Sequence, residues 1–528
     1  MHSSRWAAVV ILLTGLSACG GGGGGDAAPP IAADPASWRV GVFPASSNFD
    51  AECAAPRSGN DPQGRRWPDI QGSANDEKMW LRSWTHELYL WYTEVPDLNP
   101  ATYTVLDYFD VLKTSATTPS GNPKDKFHFT YPTDRWIALS QSGEAVGYGV
   151  QWALLGTTPP RQAIVAYTEP GSPATTAPAS LARGAEVLAV DGVDIDIDTQ
   201  NGVDTLNAGL FPDQAGESHT FTIQDLGSSA SRSVTLTAQT LTSTPVQNVR
   251  TIPTATGSVG YMLFNDHIAT AEAQLVEAVQ TLRDANIEDL VLDIRYNGGG
   301  YLAIASELAY MIAGQQTATK TFERLQFNDQ HPTTDPVTGR PLAPVPFIDT
   351  TQNFSLPPGQ SLPTLNLDRV FVLTGPGTCS ASESIINSLR GIDVEVIQIG
   401  STTCGKPYGF YPADNCGTTY FSIQFRGVNA KDFGDYPDGF SPDNSTGEVG
   451  VELPGCSVAD DFTHPLGDSN ETRLKVALAY RLNPVCSVAA SGSSRPQIND
   501  ARASSLSAVD GLVYKSPWHE NRILRRPE

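Results

Sequence analysis

Methionine and basic side chains are the scarce components of this chain. Four methionines in 528 residues exclude a methionine-rich groove of the kind that accepts many different helices. Lysine and arginine number 34 against 57 aspartates and glutamates, a formal net charge of −23. So large a negative excess repels phosphate backbones and excludes nucleic-acid binding as the main role. There is no C-x-x-C pair and no cysteine set beside H-x-x-x-H, so no zinc site, and no cofactor, is expected. A nucleotide loop ending Gly-Lys-Ser/Thr is also missing, as is any internal repeat. No apolar run reaches the roughly 20 residues that span a bilayer. What remains is globular: 40% hydrophobic and 17% charged residues exclude wholesale disorder. At roughly 100–200 residues per domain the length implies three or four folded units.

The first residues carry a targeting pattern. Arg5 is followed by the short apolar run 7–16, which ends in Leu16-Ser17-Ala18-Cys19-Gly20. That ending resembles the lipobox of bacterial lipoproteins, in which the cysteine becomes the lipidated first residue; the alternative is an ordinary secretory signal with an incidental cysteine. The resemblance implies a signal peptide over 1–18 and a membrane anchor at Cys19. It places the protein in the cell envelope, facing the periplasm or exterior, on the outer membrane. A Gly/Pro-rich tether over 19–37 cannot form a core and suits a flexible leash. Six cysteines remain after Cys19, an even set that suggests disulfides outside the cytosol. Cys404–Cys416 is the expected pair because the two flank a short loop, with Cys456–Cys486 second.

Three folded regions follow. In 38–135, Met79, Trp80, Leu81, Trp84, Leu88 and Trp91 fall mostly at helical spacing, with Ser73 or Asn75 as N-cap and a second helix over 105–113. Region 140–243 changes to short strands and turns. Gly147-Tyr148-Gly149-Val150, and Gly171-Ser172-Pro173-Ala174 followed by 184–192, resemble the carboxylate-binding loop and central turn of a PDZ domain. Such a loop offers backbone N–H groups to a terminal carboxylate while the adjoining strand edge adds an extended peptide. The stretch 175–180 is longer than that family's usual turn.

From 250 to 486 strands alternate with helices. Strands are expected at 259–264, 290–294, 369–373 and 394–399, and helices at 272–285, 302–312 and 380–389. This alternation implies a largely parallel sheet covered by helices, with ligands gathering beyond the carboxyl ends of the strands. The polar, proline-rich stretch 322–363 is expected to be an excursion or flap, and 487–528 a low-complexity tail. The predicted fold class is therefore α/β: a helix-covered, largely parallel-sheet core with an N-terminal helical subdomain and a β-rich PDZ domain.

Three segments at strand ends could do chemistry. Asp293-Ile294-Arg295-Tyr296-Asn297-Gly298-Gly299-Gly300 can bend sharply and present N–H groups to an anion. In Gly375-Pro376-Gly377-Thr378-Cys379-Ser380-Ala381-Ser382-Glu383 a tight turn leads into a helix. Ser380 stands at the helix's positive end, where free N–H groups stabilise an oxyanion; Ser380 and Glu383 also fit a simple capping box. Lys406, in Thr403-Cys404-Gly405-Lys406-Pro407, lies 26 residues beyond Ser380. At a neighbouring strand end it could act as general base, provided burial lowers its pKa by about three units from roughly 10.4. A solvated surface lysine is the alternative.

The three motifs in this order resemble those of the carboxy-terminal processing (tail-specific) serine peptidases, over roughly residues 75–480. The resemblance implies Ser380 as nucleophile and Lys406 as general base. It implies an oxyanion hole from the N–H groups of Gly299 and Ala381, support from Glu383, and Ser382 as the runner-up nucleophile. Substrates would be proteins held through their C-terminal regions. Many relatives carry glutamine four residues after the lysine, where this chain has Phe410, so a third catalytic member is unassigned. His86, His128 and His267 lack an obvious acid partner and are expected to be structural. Two other functions fit the same residues: a catalytically inactive peptide-binding lipoprotein, and an esterase or amidase acting on a cell-wall substrate.

Overall fold

The computed structural model describes residues 37–155, 159–445, 450–486 and 521–524. At its centre is a six-stranded sheet. Val246–Thr254 runs antiparallel to Gly257–Phe264; Asp289–Asp293, Arg369–Thr374, Glu395–Gly400 and Gly455–Ser457 then follow as successive parallel neighbours. Strands such as Asp289–Asp293 and Glu395–Gly400 are buried along nearly their whole length, because helices cover both faces and leave no alternation for solvent. Helices Ala271–Asp284, Leu302–Ala313 and Ala381–Gly391 supply Leu275, Leu308 and Ile385 to one face. Thr472–Tyr480 supplies Leu474 and Ala477 to the other.

The β-rich region has its own core, built on Trp152, Val165, Val187, Leu206 and Phe221. Its sheet ends at Val150–Leu154, which among the described residues pairs on one side only, with Ala163–Thr168. The helix Gln200–Leu210 lies beside this edge: Tyr148 Oη donates to Gly209 O at 3.0 Å and Trp152 Nε1 to Leu210 O at 3.2 Å. Arg183 joins this region to the central sheet. Its guanidinium donates to Asp460 at 2.7 Å and to Tyr296 Oη at 2.7 Å, while Arg295 donates to the same Asp460.

In the N-terminal region the helix is Ala74–Leu88, capped by Ser73 rather than Asn75 and ending before Trp91. The region is built onto the core, since Phe129–Pro132 pairs with Thr418–Phe421. The stretch expected to be a flap starts otherwise: Thr321–Gln326 pairs with Phe425–Val428, and Phe322 is buried in the main core. The two apolar residues of Thr321–Gln326, Phe322 and Leu325, stand three apart, so no alternation marks it as a strand in the sequence. The expected Cys404–Cys416 disulfide does not form. Cys416 pairs with Cys53, Cys404 with Cys379, and Cys456 with Cys486. Nearness in sequence misled here, because residues 404 and 416 are carried to opposite partners by the strands between them. Among the described residues no helix is long and apolar enough to cross a membrane. The signal and tether residues 1–36, with Cys19, lie outside the described residues, as does most of the stretch 487–528.

Candidate active site

Arg369–Thr374 and Glu395–Gly400 are adjacent parallel strands, so the loops leaving their carboxyl ends share one edge of the sheet. The loop at Ser380 and the loop at Lys406 meet there. Glu383, in the first turn of the Ala381–Gly391 helix, ties them together. Its carboxylate accepts the backbone N–H of Ser380 at 2.9 Å, of Gly405 at 2.9 Å and of Lys406 at 2.8 Å, and the Thr403 hydroxyl at 2.5 Å. Burial pushes this carboxyl above its ordinary range, and the four hydrogen bonds oppose that rise. The Cys379–Cys404 disulfide and the bond from Cys404 N to Thr378 O at 3.0 Å cross the same gap. Gly405 is obligatory here: its φ is +81°, and a Cβ would stand 2.3 Å from Pro437 O.

Ser380 has φ +60°, a left-handed conformation that a non-glycine residue holds only under constraint. It occupies the N-cap, yet its hydroxyl makes no hydrogen bond within the described residues. Ser380 and Glu383 stand in the expected capping-box arrangement, in which the Glu383 carboxylate accepts the Ser380 N–H. Ser382 differs: its hydroxyl donates to Asn297 O at 3.0 Å, so it is engaged in holding the glycine loop. Lys406 is fully buried, its Nζ 4.5 Å from the Phe127 ring centre and 4.9 Å from that of Phe410. Phe410, at the position where many relatives have glutamine, thus forms part of the wall around the amine.

The Asp293–Gly300 segment is pinned from below and above. Arg295 is buried and bonded to Asp293, Asp460 and Glu471. Asn297 O accepts Cys379 N at 3.0 Å. The Asn297 side chain accepts the Gly299 N–H at 2.9 Å and a proton from His267 Nδ1 at 2.9 Å, and donates to Phe264 O. Gly299 therefore has its N–H already committed in this conformation, which its assignment to an anion hole does not anticipate. Ala381 is the first residue of its helix, where N–H groups have no intrahelical acceptor. His267 is buried, and burial holds its pKa down to about 3. His128 stacks on Phe109 and is likewise held down, to about 4; His86 stacks on Phe43.

The Gly147-Tyr148-Gly149-Val150 loop lies elsewhere, at the start of the edge strand of the β-rich sheet. Sequence reasoning missed the reach of Glu383 to three residues beyond Thr402, the Asn297 side-chain bonds, and a strand at Asn521–Ile523 that pairs with Gly299–Tyr301. Glu383 reaches residues 20 to 23 positions on, and Asn297 reaches His267 and Phe264 at 30 and 33 positions back, with no periodic signal to mark either.

Residues 258–410 match the family model described as Peptidase family S41; the chain carries a domain of that family. It is similar to the carboxyl-terminal-processing protease of Picosynechococcus sp., 26% identical over 275 residues, covering 52% of this chain and 57% of that protein. The carboxyl-terminal-processing protease of Synechocystis sp. is 24% identical, covering 51% and 55%. The chain thus matches little more than half the length of these curated relatives. Among solved structures, a candidate S41 protease from Bacteroides fragilis superposes with a TM-score of 0.58 at 23% identity, covering 80% of this chain and all of that one. This last likeness concerns the fold.

Proposed function

We propose that the chain is an exported serine endopeptidase of the C-terminal processing type, working through Ser380 and Lys406. Lys406 Nζ takes the hydroxyl proton as Ser380 Oγ attacks the substrate carbonyl carbon. The oxyanion forms beside the Ala381 N–H at the positive end of the Ala381–Gly391 helix, with Gly299 joining once its N–H turns from Asn297. The amine leaves with the proton from Lys406. Water, giving its proton to Lys406, then attacks the acyl carbon; the bond to Ser380 Oγ breaks as Lys406 returns the proton to that oxygen, and the product acid ionises to a carboxylate in solvent. Glu383 and the Cys379–Cys404 bridge position the two loops. Region 140–243 acts as a PDZ domain: the edge Val150–Leu154, unpaired among the described residues and flanked by the helix Gln200–Leu210, suits addition of a substrate's C-terminal strand. Cys19 anchors the protein to the envelope membrane by its lipid.

The observation that carries this reading is the Glu383 carboxylate, which holds the backbones of Ser380 and Lys406 at once while the Ser380 hydroxyl is left uncommitted. The test is digestion of an unfolded protein, followed by mass spectrometry, using the unaltered chain, Ser380→Ala and Lys406→Ala. Each variant should lose roughly 10³-fold or more in turnover with an unchanged circular dichroism spectrum. Full turnover in both variants contradicts the mechanism. Peptide binding without cleavage by the unaltered chain indicates the inactive binding protein, and turnover of model esters or wall fragments alone indicates the esterase or amidase.

A further inference from the structure

Ser380 and Lys406 are both fully buried, so no substrate carbonyl reaches them until something moves. One strand of the chain stands where that movement would matter. Asn521–Ile523 pairs in parallel with Gly299–Tyr301, in the register Gly299 with Asn521, Gly300 with Arg522 and Tyr301 with Ile523. On its other side Ile523 bridges to Phe410, and Leu524 N donates to Phe410 O at 3.0 Å. The segment is thus inserted between the glycine loop and the stretch that follows Lys406. Backbone pairing on both sides is how an extended peptide is held by strand addition. Its side chains are seated as well. Ile523 is 3% exposed and belongs to the core cluster that includes Tyr301, Cys379, Ala381 and Phe410. Leu524 packs also on the separate cluster of Phe327, Tyr411 and Phe425. Successive residues of an extended chain face opposite ways, which accounts for Leu524, beside the main cluster, also reaching this second one.

We propose that Asn521–Leu524 occupies the channel in which a substrate strand lies, and that it restrains the enzyme until displaced. The same occupancy defines what the channel accepts: an extended segment with aliphatic side chains at two successive positions, one seated against Tyr301 and Phe410, the next against Phe327, Tyr411 and Phe425. This inference rests on the peptidase reading for its consequence, and on backbone pairing for its substance.

The test uses the full chain carrying Ile523→Asp, which places a charge in an apolar seat, and Leu524→Asp as a second variant that leaves Ile523 in its seat. A fluorescein-labelled peptide of residues 519–526 is titrated into each by anisotropy, in a Ser380→Ala background so that cleavage plays no part. Both variants should bind it at least about tenfold more tightly than the chain with its own strand, because a tethered competitor acts at an effective concentration of the order of millimolar. With Ser380 present, both should cleave unfolded protein faster, and the products should show paired aliphatic residues at a fixed distance from the cut. Equal peptide binding and equal turnover in folded variants and unaltered chain overturn the proposal while leaving the peptidase intact. Tighter peptide binding in the variants with no hydrolysis by any chain upholds the strand site and removes the peptidase reading.

Discussion

Ser380 shows how one residue is set apart from its neighbours. Two serines lie within three positions of one another, and the sequence motif alone leaves either available. Their surroundings differ: Ser380 is held at positive φ with its hydroxyl unbonded among the described residues, whereas Ser382 is bonded to Asn297 O. Ser382→Ala should therefore cost about 1 kcal/mol of stability from the lost hydrogen bond, measured by urea unfolding, and retain most of the turnover. A loss of turnover in Ser382→Ala as deep as that in Ser380→Ala would reverse the assignment. Glu383 shows a different economy, since one carboxylate serves four donors. Glu383→Gln removes the charge and replaces one acceptor oxygen with a donor facing N–H groups. It should unfold at lower urea by several kcal/mol and lose activity in proportion to misplacement of Lys406.

At the scale of elements, the alternation of apolar strands and amphipathic helices located the central sheet well. The strand expected at 290–294 is Asp289–Asp293, and the helix expected at 302–312 is Leu302–Ala313. Such elements are legible because their burial is dictated by their own periodicity. Ser380, Glu383 and Lys406 were legible for another reason: they form a spaced motif at strand ends. What escaped detection depends on partners far off in sequence. The Cys53–Cys416 bridge spans 363 residues, and the Asn521–Ile523 strand has too few residues for a period. The Cys379–Cys404 bridge closes a loop of 25 residues, for which chain entropy gives a stabilisation of about 3 kcal/mol. Replacing both cysteines by alanine should lower the unfolding midpoint accordingly and, under the proposed mechanism, reduce kcat more than KM is raised, since the bridge joins the Ser380 loop to the Lys406 loop. An unaltered kcat would confine the bridge to a stabilising role.

Across the whole molecule, the β-rich region and the central sheet meet at ionisable groups. Arg183 and Asp460 link them beside the loop that carries Asn297. A second contact is Glu169, which accepts Thr244 N and lies by Asp266. Burial raises the Glu169 carboxyl to about 7, and raises that of Asp266 as well. For an acid whose folded pKa lies above its unfolded value, the stabilising contribution is complete below the unfolded pKa of roughly 4.5 and is lost as pH rises through about 7. The unfolding temperature should therefore fall across that window, by an amount equivalent to about 3 kcal/mol at most for Glu169. Glu169→Gln should flatten the profile. An unchanged slope in that variant would place the titration elsewhere.

The most direct measurement of the central claim is the site of covalent capture by a fluorophosphonate, in which a serine oxygen displaces fluoride from phosphorus. The full chain is exposed to the reagent, digested, and mapped by mass spectrometry. The account predicts a single adduct on Ser380, absent in Ser380→Ala, slowed at least about a hundredfold in Lys406→Ala, and formed faster in Ile523→Asp. An adduct on Ser382 or another serine, together with protein cleavage that survives Ser380→Ala, would contradict it.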